Sequence, residues 1–280
     1  MRDWILWLLI AIYAFVTIVV DAFPKTFSSP VLLPIETLIP PLFALIHGAK
    51  RYGVRGIAVF LVLCLAISNV MENVSVMTGF PFGHYYYTDV LGPKLFLVPL
   101  LIGPAYFGTA YVSWVLATAL LDTDRRRDAL ATIAVPVVAT FIMVSWDVCL
   151  DPWASTIARH WVWQDGGPYF GVPFVNYLGW YLTVFLFLMA FSLYRAAWPE
   201  PARDVPRSYW YQACVLFAMM ALDYPAAYFG VENKTVTDPT GRVWQTADIL
   251  GTAAIVSLFT MLFVAVTSAA VLLLRQGRDE

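Results

Sequence analysis

Glu36, Glu72, Asp147, Asp151, Asn176, Asp223 and Asp248 fall in or beside apolar stretches of membrane-spanning length, all at the same end of those stretches. An ionisable group in hydrocarbon is expensive and marks function by default. Asp147 and Asp151 are four residues apart and share one face of any helix that reaches both. Pro152 disfavours helix at Asp151 and predicts that residue at the helix end. Two carboxylates this close in a low-dielectric site do not both ionise cheaply, so one of them holds a proton, as a general acid must. Glu36 lies between Pro34 and Pro40 with no basic residue near it in sequence. A buried glutamate without a cation keeps its proton and donates a hydrogen bond; a bond to carbonyls freed by the prolines is the structural alternative. Glu72 and Asn73 are expected to end a span, Asn176 to lie just inside one with Trp180 a helical turn further on, and Asp223 to sit near the end of another. Asp248 is read equally well as an N-cap or helix-dipole partner.

The elements that must position these groups are helices in a bilayer. The chain has 280 residues, 60% hydrophobic, 16% aromatic and 13% charged, with a mean hydropathy of +0.71. That composition predicts one integral membrane domain over residues 1–280, an all-α polytopic fold. About eight spans are expected, at Trp4–Val20, Pro30–His47, Gly56–Met71, Leu95–Leu121, Ala129–Leu150, Pro173–Tyr194, Tyr209–Phe229 and Asp248–Leu274, each near the 17–25 residues a bilayer needs. The first is expected to be a helix and not a cleaved leader, because no small-x-small cleavage site follows it. The second, with Pro30, Pro34, Pro40 and Pro41, is expected to be a broken helix. Alternating sides from a cytoplasmic N-terminus puts twelve of the seventeen Lys and Arg inside, Arg2, Arg125 and Arg127 among them. The positive-inside rule therefore places both termini in the cytoplasm, and a multi-pass protein of a prokaryotic cell membrane is expected. A net charge of −2 gives no basic patch for nucleic acid.

The inner loops, Asp122–Asp128 and Pro199–Arg207, are short and charged. The two outer loops are aromatic: Thr78–Lys94 holds Phe80, Phe82, His84, Tyr85, Tyr86 and Tyr87, and Asp151–Val172 holds Trp153, Trp161, Trp163, Tyr169 and Phe170. Interfacial anchoring accounts for part of this; the Gly-Pro punctuation of both loops points to folded lids. His47, His84 and His160 show no ExxH or HxxxH pairing, and Cys64, Cys149 and Cys214 no CxxC spacing, so no metal site is expected.

The pieces Glu72-Asn73, Gly79-Phe-Pro-Phe-Gly-His-Tyr-Tyr-Tyr87, Asp151-Pro152, Trp161-Val-Trp163, Tyr169-Phe-Gly-Val-Pro173 and Asn176-Tyr-Leu-Gly-Trp180 together resemble the CruF-type carotenoid hydratase family, over residues 30 to 270. Leu33-Pro-Ile-Glu-Thr37 is similar to the Pro-x-Glu-Glu motif of the membrane lycopene cyclases, with Thr37 in place of the second glutamate, which argues against ring closure by that route. The resemblance implies addition of water to the terminal C1=C2 double bond of an acyclic or monocyclic carotenoid, without a cofactor. An acid protonates the alkene, aromatic faces stabilise the tertiary cation, and a carboxylate or Asn176 orients the water. Glu36, Glu72, Asp147, Asp151 and Asn176 are the catalytic candidates. Phe82, His84, Tyr85, Tyr87, Trp163, Tyr169, Trp180 and Asp223 are expected against the substrate. The partners expected are a lipophilic polyene, water, membrane lipid and other carotenoid biosynthesis enzymes. A cyclase would use the same protonation and quench the cation with an internal alkene. A proton-coupled transporter would also bury acids, but typically shows paired broken repeats, and residues 1–140 and 141–280 show no such repeat.

Overall fold

The computed structural model describes residues 3–27, 32–124, 126, 128–198 and 203–279. Arg2, Pro30, Arg125, Arg127 and Pro199, on which parts of the expected topology rest, lie outside them, as does the side chain of Arg278. Seven helices carry the fold among the described residues: α1 (Trp4–Ala22), α2 (Leu32–Thr78), α3 (Ile102–Leu120), α4 (Ala129–Ile157), α5 (Phe174–Ala197), α6 (Arg207–Gly230) and α7 (Thr246–Arg275). All but α3 are long and apolar enough to cross a membrane, so the all-α multi-pass class expected from composition is the one observed. Helix α3 is the least apolar of the seven and the central one. Its Tyr, Thr, Ser and Trp side chains lower the hydropathy, and residues 106–119 are buried on every side.

Helix α2 is two rods joined at Gly53, whose φ of +68° is left-handed and suits glycine. At about 1.5 Å per residue its 47 residues would otherwise run far beyond a bilayer. Both rods lie along α3, where Gly103 faces Leu65 and Gly108 faces Pro40 and Pro41. The expected break at the prolines therefore falls elsewhere. Pro34 sits in the first turn, and Pro40 and Pro41 are absorbed within the helix. Split at Gly53, α2 supplies both the second and third expected segments.

Three local expectations are corrected. The helix bearing Glu72 and Asn73 does not end near Met71 but runs to Thr78, because nothing breaks it before Gly79, which leaves the helix at φ +80°. Helix α3 starts at Ile102 and not at Leu95; the chain before it pairs as two short strands, β2 (Lys94–Leu95) and β3 (Val98–Pro99). Asp151 is fully helical, since α4 passes through Pro152 by widening into a π-turn over Pro152–Ile157. The Ser155 hydroxyl donates to the Asp151 carbonyl at 2.7 Å within this turn.

The two ends of the bundle differ in chemistry. At one end Lys50 pairs with Asp3, Arg51 with Asp124, Arg275 with Asp122, and the Arg203 amide donates to the Arg51 carbonyl. At the other, the two aromatic loops pair with each other, with β1 (Tyr85–Tyr87) antiparallel to β4 (Trp161–Trp163) and Tyr85 opposite Trp163. A further hairpin, β5 (Thr235–Thr237) and β6 (Val243–Gln245), closes over them. Arg159 donates to the Thr237 carbonyl at 2.6 Å and Arg242 to the Gly167 carbonyl at 3.0 Å. The aromatic loops thus fold into one lid. Gly179 lets it sit down on α5, since a Cβ there would lie 2.6 Å from the Pro81 carbonyl oxygen.

Candidate active site

Beneath the lid a cavity runs between α2, α3, α4, α5 and α6. Glu36, Glu72, Asp151, Asn176 and Asp223 all line it, with Phe82, Tyr85, Tyr87, Trp163 and Trp180. Helix spacing explains part of this convergence. Asn176 and Trp180 are one turn apart on α5 and share its inner face.

One polar cluster is built on α4 and α5. The Asn176 amide donates to Asp151 Oδ2 at 2.7 Å and, more weakly, to Asp147 Oδ2 at 3.2 Å. Both carboxylates are therefore on one helix face, as their spacing of four predicts. Asp151 Oδ1 also accepts from the indole N–H groups of Trp161 at 2.7 Å and Trp163 at 3.1 Å. With three N–H donors aimed at it, Asp151 is arranged to be an acceptor. Asp147 Oδ1 and Asn176 Oδ1 are buried and make no hydrogen bond within the protein. A neighbouring cluster centres on Glu72. Its Oε2 accepts from the phenols of Tyr85 and Tyr87, and its Oε1 from Tyr106 at 2.7 Å. Strand parity makes this possible, because Tyr85 and Tyr87 point inward while Tyr86 points out.

The walls are aromatic. Trp180 stacks on Tyr106 with ring centroids 4.4 Å apart and planes at 3°, and Tyr85 leans on Trp163 at 4.8 Å. Aromatic faces carry quadrupoles that favour a positive charge placed over them. Further along, Glu36, Asp223, Tyr13 and Tyr224 line the same space. Asp21 stands at the end of α1, where its backbone carbonyl approaches Gly230 at the end of α6.

Two expected substrate contacts do not line the cavity. His84 precedes Tyr85 on the strand and so faces away. It is 59% exposed and its Nδ1 lies 2.8 Å from Asp165. Tyr169 sits in a tight turn paired with Val172 and packs against Tyr177 and Phe170. Asp248 lies in the first turn of α7, where its charge suits the helix N-terminus. His47 is buried near the basic end, between the Tyr111 hydroxyl at 2.6 Å and the Tyr209 carbonyl at 2.7 Å. Residues lining the cavity that sequence reasoning passed over include Tyr106, Trp146 and His160. A hydroxyl-bearing residue in the least hydropathic span was the available signal for Tyr106.

His160 lines the cavity at the edge of the lid, and burial pushes its imidazole down to about 4 from an ordinary 6.5. The unfolded chain therefore binds the proton that the folded lid rejects. Lid stability is complete above pH 6.5 and is lost as pH falls towards 4, by about 1.4 kcal/mol per pH unit in that window. The expected result is a thermal midpoint that falls more steeply over this window in wild type than in His160→Phe. Equal slopes for the two proteins would contradict it.

Acids and aromatics around one cavity in a bundle of apolar helices define a multi-pass membrane protein with polar groups gathered among aromatic walls. A family model described as carotenoid biosynthesis protein matches residues 31–232, which takes in Glu36, Glu72, Asp147, Asp151, Asn176, Asp223 and both lid strands. The chain belongs to that family, in agreement with the resemblance read from its motifs. It is also 32% identical over 173 residues to a bisanhydrobacterioruberin hydratase of Haloarcula japonica. That match covers 60% of this chain and 54% of the relative, so the chain spans about half the length of the curated protein it matches. No solved structure matches the chain.

Proposed function

We propose that the protein is a carotenoid hydratase that adds water across the terminal C1=C2 double bond of an acyclic or monocyclic carotenoid. The observation that carries this reading is the meeting, in one cavity, of carboxyl groups, aromatic walls and the buried Asn176 carbonyl, which has no partner within the protein. Glu36, to which no basic side chain is hydrogen-bonded among the described residues, donates the proton. The π electrons form the new C–H bond and leave a tertiary cation. Trp180, Tyr106 and Trp163 face that cation, and the caged Glu72 supplies negative charge near it. Water held by Asn176 Oδ1 and Asp147 Oδ1 attacks, and its surplus proton passes to the carboxylates there. These steps need no redox or electrophilic cofactor. The membrane supplies the polyene, and neighbouring enzymes of the same biosynthetic class supply and take up the pigment.

The hydratase and cyclase readings differ in what quenches the cation, and Asn176 is where they part. Asn176→Leu is expected to leave protonation intact and to remove the partner of the water. Isomerised or cyclised pigments of unchanged mass then rise as the hydroxylated product declines, read by mass spectrometry of pigments from a lycopene-producing host. An unaltered yield of hydroxylated product from Asn176→Leu would place the water elsewhere.

The lid is further proposed to face away from the cytoplasm and both termini to face it, on the twelve-to-five distribution of Lys and Arg. Single-cysteine labelling is expected to find positions 126 and 165 on opposite sides of the membrane. Labelling of both from one side would contradict the topology.

A further inference from the structure

We infer that the hydroxyls of Tyr177 and Tyr169 build a water-supply site behind Asn176, separate from the substrate cavity, from which the attacking water is replaced after each turnover; the inference rests on the hydratase reading above.

The register of α4 against α5 locates the site. The Ser192 hydroxyl donates to the Thr132 carbonyl at 2.7 Å, Tyr181 packs on Phe141 with ring centroids 4.9 Å apart, and the Asn176 amide reaches Asp147 at 3.2 Å. The two helices therefore run antiparallel, and Tyr177, the residue after Asn176, comes level with Asp147. Tyr177 also stands one turn before Tyr181 and shares the flank of α5 that packs on α4. From the lid side, the Tyr169 ring closes edge-on against Tyr177 with centroids 5.9 Å apart.

Four polar atoms belong to this patch: the hydroxyls of Tyr169 and Tyr177, Asp147 Oδ1 and Asn176 Oδ1. Each is buried, and none makes a hydrogen bond within the protein among the described residues. Asp147 is 0% and Asn176 1% exposed. Buried polar groups of native proteins are satisfied, by internal water where no protein partner reaches them, and such a water needs about two to four polar partners. The donors and acceptors match it. Two phenols can donate to a water oxygen, and the carboxyl and amide oxygens can accept its hydrogens. Asn176 is the junction, because it lines the cavity whereas Asp147, Tyr169 and Tyr177 do not. Tyr169 forms the outer end. It follows the exposed Pro168, and its ring is half-buried while its hydroxyl is enclosed. A polyene seated among the aromatic walls shuts bulk water out of the cavity, and a site behind Asn176 supplies water without opening the lid. Tyr177 and Tyr169 are thus positioning residues that act on the water through Asn176 and Asp147.

The test uses the full chain in liposomes with lycopene as the probe and reads hydroxylated against isomerised pigment by mass. Tyr177→Phe removes the hydroxyl and keeps the ring. The ratio of hydroxylated to unhydrated product is expected to fall about tenfold, the effect of losing one well-made hydrogen bond to the water. The KM for lycopene should be unchanged. In D2O, deuterium should still enter the isomerised pigment, because protonation persists. Tyr169→Phe should shift the ratio the same way, and the double variant by less than the two effects combined, since both hydroxyls serve one site. Stability separates a wet hydroxyl from a dry one. Removing a phenol buried dry raises the thermal midpoint, so Tyr177→Phe is expected not to raise it. A crystal structure that resolves water should show density within hydrogen-bond reach of both the Tyr177 hydroxyl and Asp147 Oδ1, and this arm decides if Tyr177→Phe does not accumulate. An unaltered product ratio in both single variants, a raised midpoint, or a dry site in such a structure overturns the supply site alone, provided the wild-type protein hydroxylates lycopene. So does a fall in yield with the ratio unchanged, which is what a merely structural role would give. Wild-type protein that forms no hydroxylated pigment from lycopene or bisanhydrobacterioruberin overturns the hydratase reading and the supply site with it.

Discussion

Glu36→Gln is expected to lower carotenoid hydration by about a hundredfold or more while the protein remains folded in detergent. The amide keeps the size of the acid and can still hydrogen-bond, but it has no proton acidic enough to reach an alkene carbon. Removing a general acid typically costs 10²–10⁴ in rate, whereas Gln for Glu at a site with no bound cation leaves packing intact. Asp147→Asn probes the carboxyl behind Asn176, which does not itself line the cavity. It replaces a carboxyl whose Oδ1 has no partner within the protein and is expected to slow capture of the cation and shift products towards unhydrated isomers. Product analysis and size-exclusion profiles of both variants check the pair of expectations. More than a tenth of wild-type turnover in both would remove these acids from the chemistry.

The largest effect on stability is expected at Glu72. Three buried phenols, those of Tyr85, Tyr87 and Tyr106, share its two oxygens. They join the lid strand β1 to α2 and α3. Glu72→Leu leaves all three hydroxyls buried without an acceptor, and each such loss costs roughly 1–3 kcal/mol. Thermal melts in detergent should show a large fall in midpoint, and proteolysis should cut first in the β1 and β4 loops, which lose their anchor. Glu72→Gln can still accept from Tyr85 and Tyr87 and donate to the oxygen of Tyr106, so its midpoint should stay near wild type while turnover falls with the lost charge. Equal stability of Glu72→Leu and wild type would show that the phenols find other partners.

Much of this was legible before any coordinates. The spacing of four between Asp147 and Asp151, and of four between Asn176 and Trp180, sets which side chains share a face whatever the surrounding fold. The hydropathy pattern fixes the class, and the gathering of acids at one end of the spans anticipates the cavity. What was not legible depends on contacts between distant segments. Glu72 and Tyr106 are 34 residues apart on different helices, and no periodicity links them. Asp21 reads in sequence as the polar end of a first helix, and nothing in the sequence shows that this turn docks against Gly230 of α6. His84 and Tyr85 were both placed against the substrate, yet adjacent strand residues point to opposite faces. The parity of β1 admits only Tyr85 and Tyr87. The helical state of Asp151 ran against the usual effect of a following proline, because a π-turn leaves room for a residue without an N–H.

Purified protein in liposomes loaded with lycopene or bisanhydrobacterioruberin, incubated in water enriched in ¹⁸O, tests the central claim most directly. The account predicts a hydroxylated carotenoid that is heavier than its substrate by one water and carries the heavy oxygen. It should form with this chain as the only protein present. A product of unchanged mass would make the protein a cyclase or isomerase, and pigment recovered wholly unchanged would contradict the account altogether.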